Sequence, residues 1–299
     1  MKKRWILNLL LLLVVAGLVA FLYLRPQNKA QAEQAYEISS LKLADFNELT
    51  LEYPSKASLK FSKVDDLWRM VQPYNMRADQ QSVLRILSVV AATSKDKFPV
   101  MDANAQEKFG LNSPQLKIKM GNKNGTETFV FGTYNPVTEQ QYMAYKDAVY
   151  LLPGSYSESG MTPAIELIDK KPLKSTEKVM GFNFSHLEQW EAVGLNLDLV
   201  EGQWKTNVAK AKITQNELNE LLDFSWLQAQ AKSVELYSPD RKVPVISFDV
   251  KLKDGSKVSF DRVQESPEFI LGRADEGLQY HFTNDVGFTM LNPPLSIAK

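Results

Sequence analysis

Leu59-Lys60-Phe61-Ser62-Lys63-Val64-Asp65-Asp66-Leu67-Trp68 and Leu195-Asn196-Leu197-Asp198-Leu199-Val200-Glu201-Gly202-Gln203-Trp204 carry one pattern twice. In each, apolar and polar residues alternate, an acidic turn follows, and a tryptophan opens the next run. Alternation at period two marks a strand with one buried face, and the polar break marks a tight turn. The match extends outward from there. A helix is predicted over 78–92, with Val83, Leu87 and Val90 on one face and Leu84 and Ala91 beside them. Its counterpart starts at Thr214, where Thr-x-x-Glu217 reads as a capping box, and buries Leu218, Leu221, Leu222 and Trp226.

Two hairpins follow at corresponding places. Leu116 to Met120 alternates, turns at Asn124-Gly125 and returns through Phe129 to Phe131. Ile246 to Val250 alternates, turns at Asp254-Gly255 and returns through Val258 to Phe260. Asn-Gly and Asp-Gly supply the positive φ that tight hairpins need. Each half then closes with a tyrosine-bearing strand, a Lys-Asp or Asn-Asp turn and a last apolar strand, over 142–152 and 280–291. This order predicts an α+β fold of two tandem repeats, each an antiparallel meander with one main packed helix. Trp68 should superpose on Trp204, and Gly125 on Gly255. The chain divides into an N-terminal segment 1–24, a linker 25–37, a first repeat 38–152, a connection 153–176 and a second repeat 177–299. The connection opens with the loop PGSYSESG and holds a short helix over 163–169. A groove is expected where the repeats meet.

At 299 residues the length suits two medium domains, and 44% apolar residues support folded cores. Cysteine is absent, which removes disulfides, thiolate metal sites and thiol nucleophiles. Five basic residues and no acids precede residue 30. Without those five, 30 basic residues face 35 acidic ones, a net charge of −5. A body of that sign does not track a phosphate backbone, so no nucleic-acid partner is expected.

Trp5 to Leu24 is a run of twenty residues in which Asn8 alone is strongly polar. As a helix it would span about 30 Å, the hydrocarbon thickness of a bilayer. Trp5 and Tyr23 fall at the two interfaces, Leu10 lies within the run, and Leu24 closes it. Ala16, Gly17 and Ala20 form a small-residue patch. Lys2, Lys3 and Arg4 precede the run and set a cytoplasmic N-terminus. The expectation is an uncleaved single-pass anchor in a bacterial inner membrane, N-in and C-out, with the body in the periplasm and the bilayer as its first partner. The rival is a signal peptide cleaved after Ala30-Gln31-Ala32.

Trp68-Arg69-Met70-Val71-Gln72-Pro73, followed by Arg77-Ala78-Asp79 opening a helix, resembles a bacterial domain-of-unknown-function family of membrane-anchored, duplicated α/β proteins. Phe109-Gly110-Leu111-Asn112-Ser113-Pro114 is similar to its Gly-Leu-x-x-Pro step. So are Phe131-Gly132-Thr133-Tyr134-Asn135-Pro136 and Tyr142-x-Ala144-Tyr145, where the family tends to have an arginine after tyrosine. The likeness covers nearly all of 38–291 and is strongest in the first half. The second half lacks the proline after Trp204 and the Gly-Leu-x-x-Pro step. Some relatives accompany gliding-motility or ABC-type export systems. The resemblance therefore implies an accessory role beside a membrane protein complex, and it carries no catalytic residues.

Every catalytic template tried on the chain fails. Asp102 begins like a calcium loop, but Glu107 and Ser113 stand where glycine and a bidentate acid are required. Ser94-x-x-Lys97 and Ser175-x-x-Lys178 lack the companion motifs of a serine–lysine enzyme, and Ser155 to Ser159 lacks Gly-x-Ser-x-Gly spacing. His186 and His281 have no His-x-His or His-x-x-x-His neighbour. No cofactor and no metal are expected. Trp68, Trp190 and Trp204 are candidate contacts for a glycan ring or a protein partner, with core packing as the alternative. The expected function is a non-catalytic, membrane-anchored periplasmic scaffold for a membrane or envelope complex. A glycan-binding or cell-wall-acting module is the second reading.

Overall fold

The computed structural model describes residues 12–21, 35–99, 103–239 and 245–297. Strand outweighs helix, 41% to 25%, so the expected α+β class gives way to a mostly β architecture of several sheets. The N-terminal helix 12–21 is too short for the membrane span read from the sequence. Among the described residues no helix is long and apolar enough to cross a membrane. The single-pass anchor, and the inner-membrane and periplasmic placement built on it, are thereby overturned. Ala16, Gly17 and Ala20 lie on the described helix and face solvent. Trp5, Leu10, Tyr23, Leu24, Lys2, Lys3 and Arg4 lie outside the described residues, as do 25–34 of the linker.

Two large antiparallel sheets, with two two-stranded ones beside them, make up the body. The first has nine strands, in the order Met76–Arg77, Leu67–Gln72, Leu59–Val64, Glu48–Glu52, Leu116–Asn122, Gly125–Asn135, Gln140–Tyr145, Ala148–Pro153 and Lys97–Pro99. The second has eight: Gln203–Thr206, Asn196–Val200, Val179–Asn183, Ile246–Leu252, Lys257–Gln264, Phe269–Arg273, Leu278–Phe282 and Ser233–Leu236. Apart from the two-residue edge strand Met76–Arg77 and the short helices Ala103–Lys108 in the first half and Glu188–Glu191 in the second, the two are wired alike. A three-stranded meander is followed by a helix, a short strand that caps the far edge, a four-stranded meander and a second helix.

The duplicated stretch shows why. Val64 pairs with Leu67, and Val200 with Gln203, so each turn has two residues. All four central residues have positive φ: Asp65 49°, Asp66 62°, Glu201 52° and Gly202 77°. That is the turn whose twist matches the flanking strands. Each tryptophan is then clasped by a glutamine opening the next helix. The Trp68 N–H donates to Gln80 Oε1 (2.8 Å), and Gln80 Nε2 donates back to the Trp68 carbonyl (2.9 Å). Gln215 makes the same pair with Trp204, at 2.6 and 2.9 Å.

The helices are shorter and more numerous than expected. The helix read over 78–92 is α-helical over Gln80–Leu87 and 3-10 over Ser88–Ala91, with the Asp79 side chain capping the Ser82 N–H. It buries Val83, Ile86 and Leu87, while Leu84 and Ala91 face solvent. In the second half Thr214 stands at the N-cap, but no side-chain cap bond forms. After Gln215–Glu220 the chain widens into a π-helix, Leu221–Leu227, with Gln228 N–H bonded to Asp223 O at 2.9 Å.

Two segments read as extended or irregular are helices: Ser155–Met161 and Asn284–Leu291. The second buries Gly287, Met290 and Leu291, a spacing of three and four that fits a helix and not a strand. An eight-residue helix is only about 12 Å long. It cannot cover the apolar face of eight strands, so each half needs two. Gln80–Leu87 packs on Ser155–Met161, and Leu221–Leu227 on Asn284–Leu291. Buried apolar residues form one continuous cluster through both sheets. In the second half it is a cluster of stacked, tilted and edge-on rings, Phe182, Trp204, Trp226, Phe248 and Phe260, with neighbouring centroids 5.3–6.0 Å apart.

Candidate functional site

The densest set of ionisable groups lies where the two sheets meet. Arg77 ends the edge strand of the first sheet, and its neighbour Ala78 forms a β-bridge to Ile168 of the connection. The Arg77 guanidinium donates to Asp169, to the Lys171 carbonyl (2.7 Å) and to both oxygens of Glu276 (3.0 and 2.8 Å). Arg273 ends the strand Phe269–Arg273 and has no exposed side-chain surface. It donates to the Pro172 carbonyl (2.7 Å), to both oxygens of Glu177, and to Asp275 (3.0 Å). The Tyr280 hydroxyl completes the set by donating to Glu276 (3.0 Å), and the Lys174 ammonium stands 3.5 Å from Glu276.

Three cations thus face four carboxylates. Burial opposes ionisation of Glu276, but the Arg77 hydrogen bond and the charges of Arg77, Arg273 and Lys174 outweigh it and hold the carboxyl below its ordinary range. Asp275 is lowered in the same way, chiefly through Arg273 against the opposing effect of burial. Asp169 goes the other way: its burial wins over Arg77, and its pKa is raised. Burial would lower both arginines, yet their acid partners keep them firmly charged.

These directions fix a pH dependence. Glu276 and Asp275, lowered in the fold, stabilise it above the ordinary carboxylate pKa, and that contribution is lost as pH falls through their folded values. Asp169 contributes with the opposite sign and softens the slope. Thermal melts should therefore show an acid limb opening below about pH 4.5, and Glu276→Gln should flatten it. Parallel curves for the two proteins would show that Glu276 is not held by the arginines.

Chemically this cluster is a clasp. Each carboxylate accepts from an arginine, and the one hydroxyl described in it, that of Tyr280, is engaged by Arg77 and Glu276. The connection, expected to border a groove, is instead stitched shut, with Leu167, Ile168 and Leu173 buried. Open clefts of about 640 and 680 Å³ lie elsewhere, at corresponding hairpin ends near Asp66 and Gly125 and near Val200 and Gly255. In the second of these, Lys251 is already paired with Asp198 (2.7 Å) and Lys257 with Asp249 (2.8 Å).

The remaining candidates take structural places. Trp68 and Trp204 are 4% and 2% exposed, which leaves no ring face for a sugar or a partner. Trp190 is partly buried and donates to the Leu291 carbonyl at 2.9 Å. Ser94 Oγ bonds the Leu151 carbonyl (2.7 Å), while Lys97 lies over the rings of Tyr36 and Tyr150. Lys178 reaches the Ser175 carbonyl and not its hydroxyl. His281 is buried with Nδ1 3.1 Å from Glu268, and Nε2 meets the Gln279 amide, not a hydroxyl. His186 faces solvent. Among the described residues, no group of three His, Asp or Glu side chains could hold a metal ion.

The Phe-Gly repeats near 109 and 131 are a backbone seam. Thr133 N–H donates to Phe109 O at 2.8 Å, and Gln115 N–H to Phe131 O at 2.9 Å. A Cβ on Gly132 would overlap Phe109 O, and one on Gly110, at φ 69°, would overlap the Thr133 hydroxyl. Sequence reasoning missed Arg273, Glu177 and two exposed phenylalanines, Phe224 and Phe288. The phenylalanines sit off the apolar spacing of their helices, which is the signal that could have found them.

Fold and site together define a two-sheet antiparallel body locked by an internal ionic clasp. The chain belongs to the family described as "Domain of unknown function (DUF4340)", which matches residues 68–244, more than half of its length. The match takes in the glycine seam, Arg77 and the connection, and stops short of Arg273 and Glu276. No curated protein and no solved structure matches the chain.

Proposed function

We propose that the chain is a non-catalytic scaffold that binds a protein partner within a larger complex. The observation that carries this reading is the apolar surface on the outer faces of both helix pairs. Leu84 and Met161 stand out from the first pair, and Phe224, Leu227 and Phe288 from the second. Large apolar side chains grouped on a body whose own core is closed are where a partner gains most by excluding water. The clasp supports the same reading, because it consumes the ionisable groups that catalysis would use and fixes one sheet on the other. A complex linked to ABC-type export or gliding motility, which the family resemblance implies, is the candidate partner.

Purification of the tagged full chain under mild conditions, with quantitative mass spectrometry, tests this. One protein complex should be retained at a fixed ratio through repeated washing. A chain that elutes alone, with a turnover activity abolished by Glu268→Gln or His281→Ala in folded protein, would contradict it.

A further inference from the structure

Resting on the scaffold reading, we infer that the helix pair of the second sheet is the docking face, and that its occupant is a basic amphipathic helix of the partner protein. The two helices are joined at their outer edge by the Ser225 hydroxyl, which donates to Thr289 Oγ1 at 3.3 Å. Beneath it, the Trp226 indole donates to the Met290 carbonyl at 3.3 Å. Phe224 and Phe288 each lie one residue from that hydroxyl bond, 64% and 67% exposed. Leu227 is exposed beside them. The π winding of Leu221–Leu227 sets Trp226 in the core while Phe224 faces out, and such wide turns recur at functional sites.

Charge decides the occupant. The sequence from Gln215 to Leu227 and from Asn284 to Leu291 contains Glu217, Glu220, Asp223 and Asp285 and not one lysine or arginine. All four acids are exposed, and among the described residues none forms a salt bridge. Asp285 alone feels a nearby cation, Lys232, so a second copy docked face to face would still bring six uncompensated carboxylates together. A helix with apolar anchors three and four residues apart and lysine or arginine at its rim fills the patch and neutralises the acids, the helix-in-groove mode of recognition.

The probe is a helical peptide of about 18 residues with leucines along one face and lysines at the rim, set against a twin with glutamates at the rim. Fluorescence anisotropy with the full-length protein should show the lysine peptide bound about tenfold or more tighter at low salt, an advantage that shrinks as salt screens it. Phe224→Ser with Phe288→Ser should lose about tenfold or more of that affinity. Glu217→Lys with Glu220→Lys and Asp223→Lys should reverse the peptide preference. Val137→Ser, a change at an exposed residue in a hairpin turn of the first sheet, should do neither. Equal affinity for the two peptides, or serine variants that bind as the wild type does, would overturn the inference. So would a concentration-dependent dimer abolished by the serine changes. Should the peptides fail while the complex still co-purifies at its fixed ratio, this face is wrong and the scaffold reading stands.

Discussion

Arg273→Met is expected to lower the stability of the protein by about 3–5 kcal/mol, the range for leaving a buried ion without its partner. The arginine side chain is fully buried, and its loss leaves the buried Glu177 with Lys174 alone at 3.7 Å and the Pro172 carbonyl without its donor, while Asp275, about half exposed, turns to water. Methionine keeps most of the volume and the contact with the Phe260 face, so the effect reports the charge and not a cavity. Calorimetry should read it as a fall in Tm of roughly 10 °C for a chain of this length. Adding Glu177→Gln and Asp275→Asn should restore much of the loss, because neutral partners pay less for burial. A fall below about 1 kcal/mol would mean that these pairs behave as exposed ones do.

Gly132→Ala is expected to cost about 2–4 kcal/mol, from overpacking and a lost backbone hydrogen bond. Its new methyl would overlap Phe109 O and press on the Leu111 side chain, and the neighbour it meets first is backbone, which cannot swing aside. The Thr133–Phe109 hydrogen bond of the seam would open with it. Gly255→Ala is the contrast, since nothing lies within 4 Å of the added carbon there. Its cost is the positive φ of 85° alone, about 1–2 kcal/mol. Urea melts of the two variants should separate them, and equal losses would show that the seam yields easily.

Local patterns in the sequence were read well where one face of a strand is buried and a turn fixes the register. The stretches ending at Trp68 and Trp204 fold as their alternation requires, down to the two-residue turns. Reading weakened where an apolar run is short. Asn284-Asp285 has the composition of a hairpin turn, yet Gly287 must lie under the Phe269 ring, and only a helix puts Met290 and Leu291 on the same side.

The clasp was half legible. Arg77 stands in a quoted motif, and Tyr280 in a quoted strand, but Arg77 meets Glu276 across 199 positions and Asp169 across 92. No spacing rule spans such distances, because these pairs are set by how one sheet lies on the other. The docking face was missed for a different reason. Phe224 and Phe288 look like core residues in composition, and their departure from the apolar spacing shows only once the segments are known to be helices.

The central claim is that this chain acts by holding a partner and not by turning over a substrate. The most direct measurement sets partner retention beside cellular function for Asp169→Asn, Glu268→Gln, Glu276→Gln, His281→Ala and the Phe224→Ser/Phe288→Ser pair, each checked for fold by its melt. The two quantities should fall together in every variant, with the largest loss of both in the phenylalanine pair. Loss of function from a single acid or histidine change, with fold and partner retention unchanged, would contradict it.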